Sequence, residues 1–138
     1  LENFISNNPF KEHYILGNPN CPTHFLEDFY SSINCSNRVA IAKNPNCPVE
    51  ILEKLANDKN LSVKFSVANN KNSNINILEK MFNEPNNFLS IDLNFEITNN
   101  INCTNDLLKK IYFKYKNTNH CILDKIKSHQ NWRLKDFD

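Results

Sequence analysis

Cysteine and histidine are the residue types in this sequence that could perform nucleophilic or metal chemistry. There are five cysteines and four histidines, and no two cysteines form the C-x-x-C pair typical of zinc and redox sites. Zinc binds sulfur at about 2.3 Å, whereas Cys21, Cys47 and Cys103 occupy one position of the repeat described below and would lie in separate layers. We therefore expect free thiols, no metal site and no cofactor. An odd cysteine count without a visible signal peptide favours the cytoplasm.

Two Cys–His pairs were considered as catalytic dyads. His120 is adjacent to Cys121, but neighbouring residues on a helix point about 100° apart. His24 lies near Cys21, and no motif places a third, orienting group beside them. Gly17 is the only glycine, which excludes glycine-rich phosphate loops. The sequence therefore predicts no catalytic residues. We expect that the protein is not an enzyme and that it has no small-molecule substrate.

Basic and aromatic residues are concentrated in residues 101–138. This segment has eight Lys/Arg and four Asp/Glu, while the whole chain has a formal net charge of +1. Lysines contact phosphates and aromatic rings stack on bases, so Lys109, Lys110, Trp132 and Arg133 are candidate nucleic-acid contacts. The alternative interpretation is that the aromatic residues pack in the core and the lysines are solvated.

An internal repeat builds the elements that must position these residues. The motif Leu-Glu-x-apolar begins at residues 1, 26, 52 and 78, and weaker copies begin at 108 and 123. Apolar residues recur at i, i+1, i+4 and i+5 in each copy, as in Ile51, Leu52, Leu55 and Ala56. This spacing is one face of a helix. The step from 108 to 123 is only 15 residues, so we expect the array to be truncated or rearranged there.

A start signal precedes each Leu-Glu helix. Cys47 is predicted to be an N-cap, with Pro48 at the first helical position and Glu50 at the third. By the same spacing, the caps of the other copies are predicted to be Cys21, Ser73 and Cys103.

A second element lies between the Leu-Glu helices and ends at an asparagine, at positions 18, 44, 70 and 100. Asparagine suits turns and can bond to backbone groups, so these side chains are predicted to form a structural ladder. Arg38 and Lys64 share one position of this element and are candidate binding residues, although Glu12 and Asn94 occupy the same position elsewhere. Apolar residues alternate within 89–97, which is a strand signal, so this segment could be a helix or a strand.

The segment of residues 37–58 resembles the leucine-rich repeat variant family. It contains Asn44-Pro45 and Pro48, followed by Leu52, Leu55 and Asp58 at the offsets of that family's repeat. The resemblance covers about four repeats, from Leu1 to about Tyr112. It implies a right-handed superhelix in which an α-helix alternates with a shorter, often 3₁₀, helix. Some members carry an iron–sulfur cluster, but this sequence has no matching cysteine cluster.

We therefore predict an all-α, right-handed helical-repeat solenoid, HEAT-like in style, with about four to five repeats. A single domain over 1–138 would contain repeats near 1–18, 19–44, 45–70, 71–100 and 101–138, and the chain is expected to be a fragment of a longer protein. Helical solenoids usually bind other molecules, so the predicted function is a non-catalytic scaffold for a protein or peptide. Nucleic-acid binding through the C-terminal segment is the alternative, and a helical-repeat DNA-repair enzyme is a second one. No apolar run is long enough to cross a membrane.

Overall fold

The computed structural model describes residues 11–84, 90–118 and 120–133, without the side chains of Ser90 and His120. Every regular element in those ranges is an α-helix, and none of them contains a strand. The predicted all-α class is therefore confirmed. The strand alternative for 89–97 is wrong for residues 90–97, which are helical, while Leu89 lies outside the described residues.

The chain forms two compact units, Leu1–Ser73 and Asn74–Asp138. Two kinds of helix alternate in each. We call the helices that carry the leucine motif Leu-Glu helices, and those that end at the asparagine turn ladder helices. The first unit contains α1 (Glu12–Leu16), α2 (Thr23–Phe29), α3 (Cys35–Lys43), α4 (Val49–Leu55) and α5 (Leu61–Asn69). The second contains α6 (Ile75–Phe82), α7 (Ser90–Asn99), α8 (Asn105–Tyr115) and α9 (His120–Ser128).

The Leu-Glu helices are α2, α4, α6 and α8, and they bury the face that the sequence predicts. In α4, Ile51, Leu52 and Leu55 are buried, and in α6 and α8 the same positions are buried as well. Burying an aliphatic side chain of this size contributes about 1.5–3 kcal/mol. These residues therefore form the core on which the ladder helices pack.

The ladder helices are α1, α3, α5, α7 and α9. Helix α3 packs against both α1 and α5 in the first unit, and α9 packs against α7 in the second. Helices α3 and α5 have nine residues each, whereas α2 and α4 have seven. The ladder helices α3 and α5 are thus longer than these two Leu-Glu helices, whereas α9, with nine residues, is shorter than α8, with eleven.

The alternating apolar pattern of α7 arises because the helix also buries polar side chains. Leu93, Asn94, Ile97 and Thr98 are buried, which is again the i, i+1, i+4, i+5 face, and Ile91 is exposed. Asn94 is compatible with the core because its Nδ2 donates to the Tyr115 hydroxyl at 2.7 Å. A buried amide with a partner keeps most of its hydrogen-bond energy.

The predicted helix caps are displaced by one residue. The helices begin after Pro22, Pro48, Asn74 and Thr104, and only the last two cap with their side chains, to the backbone N–H groups of Ile77 and Leu107. The expected caps Cys21, Cys47, Ser73 and Cys103 lie one position earlier and are buried. Those positions are selected for core packing, because the turn points them inward.

The predicted asparagine ladder is present in the first unit. Nδ2 of Asn44 donates to the carbonyls of Leu16 and Asn18 at 2.7 and 2.8 Å, 28 and 26 residues earlier. Nδ2 of Asn70 repeats this with the carbonyls of Ala42 and Asn44 at 2.7 and 2.9 Å. The Oδ1 atom of Asn44 accepts from the N–H of Asn46 and so closes its own turn. Each amide thus joins two successive turns.

A second asparagine in the turn makes a parallel set of bonds. Nδ2 of Asn72 donates to the carbonyls of Pro45 and Cys47 at 2.8 and 3.1 Å, and Nδ2 of Asn46 donates to Pro19 at 2.6 Å. The two Asn72 bonds are partly buried and the Asn46 bond is exposed, so these side chains provide donors to carbonyls along the edge of the turn. The Asn-x-Asn spacing is therefore a structural requirement of the turn.

The C-terminal segment repeats this turn with a histidine in place of the first asparagine. Nε2 of His129 lies 3.0 Å from the Asn100 carbonyl, and the N–H of Asn131 donates to Nδ1 of His129 at 3.1 Å. Because Nδ1 accepts, Nε2 carries the proton and donates. Nδ2 of Asn131 donates to the carbonyls of Ile101 and Cys103. His129 therefore takes the place of a ladder asparagine, with one of its two carbonyl contacts and the same acceptor that closes the turn.

This turn corrects the interpretation of the copy at 123–126. Leu123 and Ile126 lie on α9, which ends at the His129 turn and packs against the ladder helix α7. It is therefore a ladder helix, not a second Leu-Glu helix. The step from Asn100 to His129 is 29 residues, close to the other steps, and the 15-residue truncation disappears.

Replacing Asn44 with alanine should lower the free energy of unfolding by about 2–4 kcal/mol, since the buried carbonyl of Leu16 and the partly buried carbonyl of Asn18 lose their donor. Asn18 occupies the same position of the first turn but is exposed, and its recorded side-chain bond is to the N–H of Asn20. Asn18→Ala is therefore the matched control and should cost clearly less. Urea denaturation measures both, and equal losses would contradict the ladder as a stabilising feature.

Replacing His129 with asparagine should preserve the turn, and replacing it with alanine should open it. Amide hydrogen exchange at Asn131, followed by NMR, reports the turn directly. We expect exchange in His129→Asn to stay within about threefold of the wild type, and exchange in His129→Ala to rise about tenfold, the equivalent of one lost hydrogen bond. Equal exchange in the two variants would show that His129 is not a ladder residue.

Candidate binding groove

The candidate binding residue Arg38 is held in a structural ion pair. Its guanidinium donates through Nε and Nη2 to the two oxygens of Asp58 at 2.6 and 3.1 Å, and through Nη1 to the carbonyls of Ser32 and Ile33. Burial raises the pKa of Asp58, but the bonds from Arg38 and from the N–H of Asn60 outweigh it, so the net shift is downward. Arg38 therefore fixes the loop before α3 to the loop before α5 and is not available for a ligand.

The other residues at the Arg38 position are also engaged in the fold. Lys64 lies close enough to Asp58 to help lower its pKa. Glu12 accepts a hydrogen bond from Nδ2 of Asn37, and Asn94 is bonded to Tyr115. The residues at this repeat position therefore connect neighbouring elements. They do not form an outward-facing row of positive charges.

Several basic residues of the C-terminal segment already have partners. Nζ of Lys110 lies 2.8 Å from Glu79, and Nζ of Lys114 lies 5.1 Å from the centre of the Phe82 ring. Lys116 lies 5.2 Å from the Phe113 ring. Lys109 is half-buried on α8. These contacts do not form the continuous positive stripe expected of a nucleic-acid interface.

Trp132 and Arg133 belong to the His129 turn. Trp132 is half-buried, packs against Tyr112 with ring centres 5.4 Å apart, and occupies the position that Cys47 and Cys103 occupy in earlier turns. The backbone N–H of Arg133 donates to Oδ1 of Asn105 at 3.2 Å, while its side chain is exposed. Trp132 is thus a packing residue of the turn.

The cysteines fall into two groups by exposure. Cys21, Cys47 and Cys103 are buried at equivalent turn positions, and burial raises the pKa of Cys47 and of Cys103 to about 12. Cys35 and Cys121 are exposed. In the described ranges no three Cys, His, Asp or Glu side chains come together in a way that could hold a metal ion. The buried thiols stay protonated and act as small core residues.

A groove crosses the outer surface of the three ladder helices of the first unit. It consists of two adjoining cavities of about 590 and 290 Å³, which share Lys43 and Ser62. The larger cavity is bounded by α1, α3 and the start of α5, and the smaller one by α3 and α5. We call this surface the ladder groove.

Small and apolar side chains form the floor of the ladder groove. Val39 and Ala40 lie in the larger cavity and Phe65 in the smaller one, all only partly buried. Gly17 permits this arrangement, because an added Cβ would lie 3.2 Å from the carbonyl oxygen of His13 and 3.7 Å from Cβ of Ala40. Polar groups surround the floor: His13, Ser36, Lys43, Asn60, Ser62 and Asn69.

The second unit has a groove at the same register. A cavity of about 340 Å³ lies between α7 and α9 and is lined by Asn99 and Ser128, which precede the ladder residues just as Lys43 and Asn69 do. The outer surface of the ladder helices is thus recessed in both units. Lys125 and Ile101 complete this C-terminal groove.

Sequence reasoning missed both grooves. Their lining residues show no motif, since they come from the outward side of separate helices. The only available signal was the position just before the ladder residue, occupied by Gly17, Lys43, Asn69, Asn99 and Ser128. The structure also brings His13 and Cys35 to one cavity, but no hydrogen bond joins them among the described contacts, and no third group orients them.

Comparison with known proteins yields no relative. No family model, no curated protein and no solved structure matches the chain. Among the described helices, none combines the length and the apolar character needed to span a membrane.

Thiol labelling should distinguish the two groups of cysteines. At pH 8 we expect Cys35 and Cys121 to react with Ellman's reagent within minutes, because both are exposed. Cys21, Cys47 and Cys103 should react only after unfolding, as burial keeps them inaccessible and protonated. Rapid reaction of more than two thiols in the native protein would contradict this assignment, and mass spectrometry identifies the labelled residues.

Proposed function

We propose that this protein is a right-handed helical-repeat solenoid of the leucine-rich repeat variant kind, and that it acts as a non-catalytic scaffold for a protein or peptide. The ladder bonds support a repeat array, because the same amide-to-carbonyl contacts recur at 26-residue steps in the first unit. The family assignment rests on the resemblance of the repeats, which is carried by residues 37–58 and extends from Leu1 to about Tyr112. The buried, unpaired thiols fit a reducing compartment, so the proposal includes a cytoplasmic location.

The single observation that supports binding is the ladder groove. A peptide-binding surface is an apolar recess with polar groups at its edge, and the groove has this composition. The outward side chains of the groove also take no part in the core or in the ladder bonds, so the fold does not depend on them. Nucleic-acid binding is less well supported, because Arg38 and Lys110 are paired with carboxylates.

A peptide in this groove would be extended and short. The groove crosses three helices, and neighbouring helix axes are about 8–10 Å apart. The span is then about 16–20 Å, which an extended chain covers with five to six residues at about 3.3 Å each. Backbone groups of such a peptide can bond to Asn60, Ser62 and Asn69 at the edge.

The substitution Ser62→Trp tests this function, because Ser62 is exposed and borders both cavities. The indole should fill the groove without disturbing the core. We expect the wild type to bind members of a random hexapeptide library, and Ser62→Trp to weaken that binding at least tenfold, as measured by fluorescence anisotropy on selected peptides. Tenfold corresponds to about 1.4 kcal/mol.

Ser31→Trp is the matched control. Ser31 is equally exposed but borders neither cavity, so this variant should bind like the wild type. Absence of peptide binding to the wild type, or equal binding to Ser62→Trp, would rule out the groove as the functional surface.

A further inference from the structure

We propose that the ladder groove selects extended peptides that carry an acidic side chain, and that Lys43 binds this carboxylate. This inference rests on the peptide-binding function proposed above and specifies its substrate class. It depends on where Lys43 lies, on the absence of a competing carboxylate and on the composition of the floor.

Lys43 has a central position in the groove. It is the last residue of α3 and is one of the two residues that border both cavities. Its side chain is exposed. A ligand that crosses from the α1 side to the α5 side must therefore pass the ammonium group, whichever cavity it fills first.

No carboxylate neutralises Lys43 in the described part of the chain. None of the side chains bordering either cavity is acidic. Glu12 on α1 bonds to Asn37, and Asp58 in the loop before α5 pairs with Arg38. The carboxylates of α2 and α4 border neither cavity. Lys43 contributes little to the stability of α3, because a lysine at a helix C-terminus stabilises the helix by only about 0.3–1 kcal/mol.

The floor determines the residues beside the acid. Val39 and Ala40 lie on one side of Lys43 and Phe65 on the other, so small apolar residues should flank the acidic position. A charge partner at the edge of a recess contributes mainly to selectivity. Acidic peptides should therefore bind about twofold to fivefold more tightly than otherwise identical peptides with glutamine, the range expected for an exposed ion pair.

Positional-scanning hexapeptide libraries test this preference directly. Each sublibrary fixes Asp, Glu, Asn, Gln, Lys or Arg at one position and randomises the rest. We expect Asp and Glu sublibraries to bind best at one central position for the wild type. Lys43→Gln should abolish the preference, and Lys43→Glu should reverse it toward Lys and Arg. Reversal is a result that a merely destabilised variant cannot give.

Lys59→Glu is the matched control, because Lys59 is exposed, borders neither cavity and changes the net charge equally. It should keep the acidic preference. If Lys59→Glu reverses the preference as well, the effect comes from net charge and the inference is overturned. Circular dichroism confirms that each variant is folded.

The outcomes separate this inference from the function on which it rests. Peptide binding that Ser62→Trp abolishes but that shows no acidic preference would overturn the role of Lys43 and leave the peptide groove intact. Absence of any binding sensitive to Ser62→Trp would overturn both. Tight binding of a labelled single-stranded oligonucleotide that Lys43→Glu abolishes would instead identify a nucleic-acid surface, and would overturn the peptide assignment.

Discussion

The side-chain amide of the ladder asparagine is the interaction on which the described structure depends. In the first unit, the turns between a ladder helix and the next Leu-Glu helix leave the carbonyls of Leu16, Ala42 and Asn44 buried. An unpaired buried carbonyl costs about 1–3 kcal/mol, so a donor must come from elsewhere. Nδ2 of Asn44 and of Asn70 is that donor, while Oδ1 of the same side chain closes its own turn. Asparagine is suited to this position because one short group both donates and accepts.

The substitution of His129 at the last turn shows which property of asparagine matters. Neutral imidazole also has one donor and one acceptor, and His129 uses them on the same two kinds of backbone group. The turn thus requires one hydrogen-bond donor and one acceptor on the same side chain. In this chain an asparagine amide usually provides them. A histidine that looks like a candidate for acid–base chemistry in the sequence therefore has a structural role.

The same constraint accounts for the recess on the outer surface of the ladder helices in the first unit. The inward side chains of these helices belong to the core, and ladder residues such as Asn44 hold the turns. Arg38 and Asp58 fix the loop before α3 to the loop before α5. Small side chains and Lys43 point outward around the ladder groove. The contacts that hold the fold do not depend on this groove. A fold held by repeated backbone bonds can change such a surface at little cost in stability, which is how helical repeats serve as scaffolds.

The sequence by itself determined the helical class, the core of the Leu-Glu helices and the asparagine turns, because apolar spacing and turn chemistry are local properties of the chain. Ile51, Leu52 and Leu55 are buried as their spacing predicts. The tertiary structure decided what depends on contacts between distant residues. It placed the helix starts one residue later, since Cys47 and Cys103 pack inward. It identified α9 as a ladder helix, which only the bonds of His129 and Asn131 reveal. It also formed the groove around Lys43, because residues from three separate helices meet there only after the ladder has brought those helices side by side.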